Sequence, residues 1–195
     1  MRSFERELPE GYGEVYSFDA GDKKTIRKMN AIALAASLAL LTIPILVMRM
    51  PPLPPVKLLL FLVLFIASLF IYLVLHELVH GAAYKLLTGE KLKFGLTPSV
   101  AYCGVPDIYV YRRTALISLL APFTVFSVIF LLGMLLMWGN IWGYASGVLF
   151  ACHAGGCAGD LYDTYLYLTR FRDPRTLMRD TGPKQTFYLP VPEDE

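Results

Sequence analysis

The chain is poor in the residues that staple small secreted domains and in those that grip nucleic acid. Three cysteines in 195 residues, Cys103, Cys152 and Cys157, do not make a disulfide framework. Eighteen Lys and Arg against sixteen Asp and Glu leave a net charge of +2, without any basic stretch interleaved with aromatics. Nucleic acid is thereby excluded as a partner. No internal repeat or low-complexity segment is present. No cleavable signal peptide opens the chain either, because residues 1–28 are polar and carry six Lys or Arg. The first apolar run is expected to act as an uncleaved signal anchor. Histidine is scarce too, with three in the whole chain, so where they fall is informative.

What is abundant is apolar. Hydrophobic residues make up 55% of the chain, and the charges gather in residues 1–28, in 85–93, at Arg112 and Arg113, and after residue 160. The apolar runs between those clusters have membrane-spanning length, about 20 residues for a ~30 Å hydrocarbon core. Spans are predicted at 30–48, at 56–75 with the helix running on to about 87, at 114–138 with an interruption at Ala121 and Pro122, and at 141–169. Residues 49–55, with four prolines, break the chain into a stiff turn after the first span. Residues 13–18 read as a strand and 22–29 as a helical lead-in. Between the second and third spans, 91–96, 99–103 and 108–111 are short β-prone runs separated by Gly and Pro, which predicts a small hairpin or sheet. The expected fold is an all-α polytopic membrane protein with about four transmembrane helices and that β segment between helices two and three. A polar extension (1–29), a membrane domain (30–169) and a polar tail (170–195) follow from the same reading.

Charge orients the layout. The N-terminal extension has six Lys or Arg, the 81–113 connection five and the C-terminal tail five, whereas 49–57 has two and 138–140 none. The positive-inside rule then places both termini and the 81–113 connection in the cytoplasm of a multi-pass cell-membrane protein.

Two of the three histidines lie in His76-Glu77-Leu78-Val79-His80, at the end of the second span. Positions i and i+4 share a helix face, so both imidazoles can reach one metal ion. Glu77 sits beside that face, placed to accept a proton from a water on the metal. A tetrahedral zinc site of this kind takes a third protein ligand and leaves one position for water. The fourth span supplies candidates: at 100° per residue His153, Cys157, Asp160 and Thr164 fall on one stripe. Asp160 is the best of them, because a carboxylate completes a two-His site without thiolate chemistry. Depth agrees, since His76 lies 20 residues from Val56 and Asp160 lies 19 from Ile141. At ~1.5 Å per residue both are ~30 Å along their helices.

His153 is open to three readings: a metal ligand, a donor to the oxyanion of a tetrahedral intermediate, or a satisfied buried histidine. Oxyanion work is ranked first, which makes Glu77 and His153 the catalytic candidates and His76, His80 and Asp160 the Zn2+ ligands. Cys157 is expected in packing, with a metal contact as the alternative, Cys103 as a small buried residue, with an inhibitory zinc ligand as the alternative, and Asp163 as a solvated or capping group. Gly155, Gly156 and Gly159 would let the fourth helix approach a neighbour and bring Asp160 to the metal. The expected activity is hydrolysis of a membrane-protein or peptide substrate at the bilayer. Alternatives are a zinc-stabilised binding module without catalysis and a zinc hydrolase acting on a lipid or small molecule, since the motif specifies activated water and not the bond attacked.

At these residues the sequence resembles the site-2 protease class of intramembrane metalloproteases. Those proteins carry H-E-x-x-H on one membrane helix, an aspartate ligand on a later one, a β segment between them and a cytoplasm-facing site. His153 stands roughly where that class has an asparagine before its aspartate. A closer resemblance is to a prokaryotic family of membrane proteins described as zincin peptidases. It rests on residues 8–12 (Leu-Pro-Glu-Gly-Tyr), the His76–His80 motif, 101–103 (Ala-Tyr-Cys) and 153–160, within a likeness over about residues 7–170. The resemblance implies zinc on His76, His80 and Asp160, with Glu77 as general base.

Overall fold

The computed structural model of the protein describes residues 2–19, 21–48, 50–96 and 101–191. Arg49 of the proline turn, Ser99 and Val100 of the second β-prone run, and residues 192–195 of the tail lie outside the described residues. The chain folds as two compact units: residues 1–28, 76–122 and 160–195 form the first, and 29–75 with 123–159 the second. Its helices are α1 (Lys23–Val47), α2 (Pro55–Thr88), α3 (Arg112–Leu136), α4 (Ile141–Gly156) and α5 (Ala158–Thr169).

Among the described residues the first unit contains the strands: β1 (Phe4–Glu5), β2 (Tyr12–Asp19), β3 (Lys93–Leu96), β4 (Ala101–Gly104), β5 (Tyr109–Tyr111), β6 (Leu177–Asp180) and β7 (Lys184–Pro190). Five of them form an antiparallel sheet in the order β1-β5-β6-β7-β2, and β3 pairs with β4 in a separate hairpin. Residues 181–183 (Thr-Gly-Pro) turn the chain from β6 to β7. Gly182 there takes a φ of +98°, which favours glycine, and its N–H donates to Asp180 Oδ1 at 2.9 Å. Helical side chains cover the sheet. Tyr84 from α2, Ala115 and Leu119 (one turn apart on α3), and Leu166 and Tyr167 from α5 are buried in one cluster with Val110, Met178 and Phe187 of the strands. Gly81 of α2 lies under the hairpin, where an added Cβ would fall 2.6 Å from Phe94 Cζ. That close approach fixes β3 beside the turn that carries His80.

The second unit is made of helices. Their outward side chains, among them Leu46, Val56, Phe70 and Leu136, are large, apolar and exposed, which suits hydrocarbon and not water. Gly155 packs against α1: an added Cβ would collide with the Ser37 hydroxyl and the Ala33 carbonyl. An added Cβ at Gly156 would meet only the Tyr72 hydroxyl, at 3.9 Å, and at Gly159 it would meet nothing within 4 Å. Of the three glycines read as close-approach residues, Gly155 alone is used so, and its neighbour is α1.

Two expectations are corrected. The fold is not purely all-α, because segments distant in sequence pair into a five-stranded sheet that helical periodicity does not register. Among the described residues about four transmembrane helices are not confirmed either. Among the described residues three helices, α1, α2 and α3, are long and apolar enough to cross a membrane, which is consistent with a membrane protein. The expected fourth span is two shorter helices of 16 and 12 residues, broken at Cys157. There the backbone N–H turns back to the carbonyls of His153 and Gly155.

Candidate metal centre

The break at Cys157 places Asp160 in the first turn of α5. A carboxylate there is favoured by the unpaired N–H groups and the positive end of the helix dipole. On α2, one full turn separates His76 from His80, and their rings lie edge to face with centroids 4.9 Å apart. Both are 7% exposed. His76 Nε2 lies 3.3 Å from Asp160 Oδ2, and His80 Nε2 lies 3.4 Å from Asp160 Oδ1. One ligand atom from each of the three residues fits within 4.8 Å of the other two. Glu77, half-buried, follows His76 directly on the same turn.

This donor set fits zinc. Two imidazoles and a carboxylate are the ligands of a catalytic site that keeps a fourth position open, and bonds of 2.0–2.1 Å in a tetrahedron put neighbouring ligand atoms about 3.3–3.4 Å apart. The two nitrogen–oxygen separations are of that size. The imidazole of His80 is also held from behind, with Nδ1 2.8 Å from the carbonyl oxygen of Ser118 on α3. A carbonyl only accepts, so Nδ1 donates and Nε2 is left to bind a metal.

His153 belongs to the second unit and is fully buried. The Tyr72 hydroxyl lies 2.8 Å from its Nδ1, while Ser127 Oγ and the Phe123 carbonyl oxygen lie 3.3 and 3.2 Å from its Nε2. Because Phe123 can only accept, Nε2 carries the proton and Nδ1 accepts from Tyr72. The rings of Tyr72, Phe123, Phe126 and Phe130 surround it.

Cys103 is buried on β4, where burial first and the carboxylates of Asp180 and Glu77 next push its thiol up to about 12. That favours the neutral thiol. Cys157 is fully buried at the helix break. Asp163 is 3% exposed and not solvated as expected, and its Oδ1 has no hydrogen-bond partner among the described residues. An ordered water is the usual partner for such an atom.

Sequence reasoning missed Asp180. It is buried on β6, accepting hydrogen bonds from the Tyr84 hydroxyl at 2.7 Å, from Gly182 N–H and from Gln185 Nε2 at 3.4 Å. Burial raises its carboxyl to about 6, against the lowering effect of those donors. The Asp-Thr-Gly turn at 180–182 is the sequence signal that points to it. Ser118 was missed because it contributes a backbone atom.

These features define a helix pair that could hold a metal ion, packed on an antiparallel sheet. Residues 69–174 match the family DUF3267, whose description reads "Putative zincin peptidase". The chain belongs to that family, and the matched segment contains His76, Glu77, His80, His153 and Asp160 but not residues 8–12. No curated protein and no solved structure matches the chain.

Proposed function

We propose that the protein is a zinc-dependent metallopeptidase that hydrolyses peptide bonds at or near the cytoplasmic membrane face. The observation that carries this reading is the convergence of both Nε2 atoms on the Asp160 carboxylate, beside Glu77. His76, His80 and Asp160 would hold the metal. Zinc bound there would polarise a scissile carbonyl and acidify water toward a pKa of ~7. Glu77 takes the proton of the attacking water and delivers it to the leaving amine. Burial of His76 and His80 limits the access of bulk water to the reacting atoms. We assign His153 to the polar interior of the second unit, because its two ring nitrogens already serve Tyr72, Ser127 and Phe123. The Lys and Arg distribution supports a multi-pass arrangement with both termini cytoplasmic.

One observation favours a second reading, a docking module. Among the described residues β3 pairs only with β4, so its outer edge is open to an added strand.

Metal analysis of the detergent-purified protein tests the first reading. About one zinc per chain is expected, lost in His80→Ala and in Asp160→Ala. A folded wild-type protein without zinc overturns it.

A further inference from the structure

Pro122 lies inside α3 and is fully buried, yet the helix continues unbroken to Leu136. Proline has no N–H, so the bond that residue i+4 gives to the carbonyl of residue i is not made. The carbonyl deprived here is that of Ser118. It is the same carbonyl whose oxygen lies 2.8 Å from His80 Nδ1. In an uninterrupted helix that oxygen would point along the axis into its own ladder and serve the N–H of residue 122. With proline at 122, its acceptor capacity is turned to the imidazole of a neighbouring helix.

We propose that Pro122 is a positioning residue for the metal centre: by withholding its N–H it frees the Ser118 carbonyl to hold His80 by Nδ1–H, so that Nε2 is the metal-directed nitrogen. The inference rests on the reading of His76, His80 and Asp160 as zinc ligands. It explains why a proline is accommodated in the middle of a helix that must be regular enough to pack Ala115 and Leu119 against the sheet. It also explains why the His80 ring has a fixed partner although, among the described residues, no acidic side chain is a hydrogen-bond acceptor for Nδ1. In many zinc proteins a carboxylate or a backbone carbonyl does this work, and losing it weakens metal binding about 10- to 100-fold.

The side chain of Ser118 takes no part, which gives a control. Ser118→Ala keeps the carbonyl and is expected to bind zinc like the wild type. Pro122→Ala restores an N–H that competes for the same oxygen, and is expected to bind zinc about tenfold or more weakly.

The readout that a purely packing role would not move is the His80 Nδ1 proton. With three histidines in the chain, selective 15N-histidine labelling resolves each ring, and His80→Gln assigns the signal. In zinc-loaded and zinc-free wild-type protein, His80 should carry an Nδ1 proton that exchanges slowly with solvent. In Pro122→Ala that proton should exchange faster while the Ser118→Ala signal stays as in the wild type. A wild-type His80 without a protected Nδ1 proton overturns the proposal. So does Pro122→Ala with proton exchange and zinc affinity both unchanged. If the wild-type protein binds no zinc, the metal-centre reading fails by itself, and the zinc-free spectra still decide whether Pro122 governs the His80–Ser118 bond.

Discussion

The Tyr84 hydroxyl donates to Asp180 across 2.7 Å, tying the helical turn that follows His80 to the last hairpin of the sheet. The pair is buried, and Val105 N–H donates to the backbone carbonyl of Asp180 at 2.9 Å. One aspartate therefore anchors α2, β6 and the chain just after β4.

Its environment predicts a pH dependence. The Asp180 carboxyl is raised from 3.8 to about 6 by burial, so the folded state favours its protonated form. The stability it contributes is complete below about 4 and is lost as pH rises through about 6, an effect of about 3 kcal/mol over that window. Thermal unfolding in detergent between pH 4 and 7 should show this slope in the wild type and not in Asp180→Asn. An identical slope in the variant would rule the assignment out.

Glu77→Gln separates binding from chemistry. The glutamine keeps the size of the side chain and cannot take a proton, so zinc content should stay near one per chain. Peptide cleavage should fall about 10²–10⁴-fold. Cleavage that survives in this variant would remove Glu77 from the mechanism.

His153→Gln tests whether the second unit's histidine touches the reaction. Loss of its bonds to Tyr72 and the Phe123 carbonyl should lower stability by about 1–3 kcal/mol, with zinc content intact and turnover changed only a few-fold. A stably folded variant whose turnover drops about a hundredfold or more would restore the oxyanion role.

Two glycines four residues apart should respond in opposite ways. Gly155→Ala drives a methyl into Ser37 and the Ala33 carbonyl and should destabilise by about 1–3 kcal/mol. Gly159→Ala meets open space in the first turn of α5 and should be neutral or stabilising by up to about 1 kcal/mol. Equal melting temperatures for the two variants would contradict the α1–α4 contact.

The parts of this fold legible in the sequence are those written in local periodicity. The i, i+4 spacing of His76 and His80, the proline turn, the strand near residues 13–18 and a β segment after α2 all depend on neighbours within one or two turns. The five-stranded sheet was not legible because its pairs join residues far apart, such as Phe4 with Val110 and Tyr12 with Pro190. Strand pairing at that range leaves no period to read. The break at Cys157 was hidden for a different reason. A run of small residues reads equally as a tight helix contact and as a weak point, and only the backbone bonds at Cys157 decide between them. Asp160 lies beside His76 and His80, as its depth suggested, although the continuous stripe assumed for it does not exist.

Among the described residues the edge strand β2 pairs only with β7, with Asp19 opposite Lys184. A ribosome making the chain therefore releases β2 long before it releases the strand that will zip onto it. At 5–20 residues per second the delay is on the order of ten seconds or more. During that interval the sheet that buries Asp180 and backs the His80 turn does not exist. A nascent chain paused anywhere before residue 184 has its histidine motif already in place but not the scaffold behind it. The fold thus makes the backing of the His80 turn wait for the synthesis of β7.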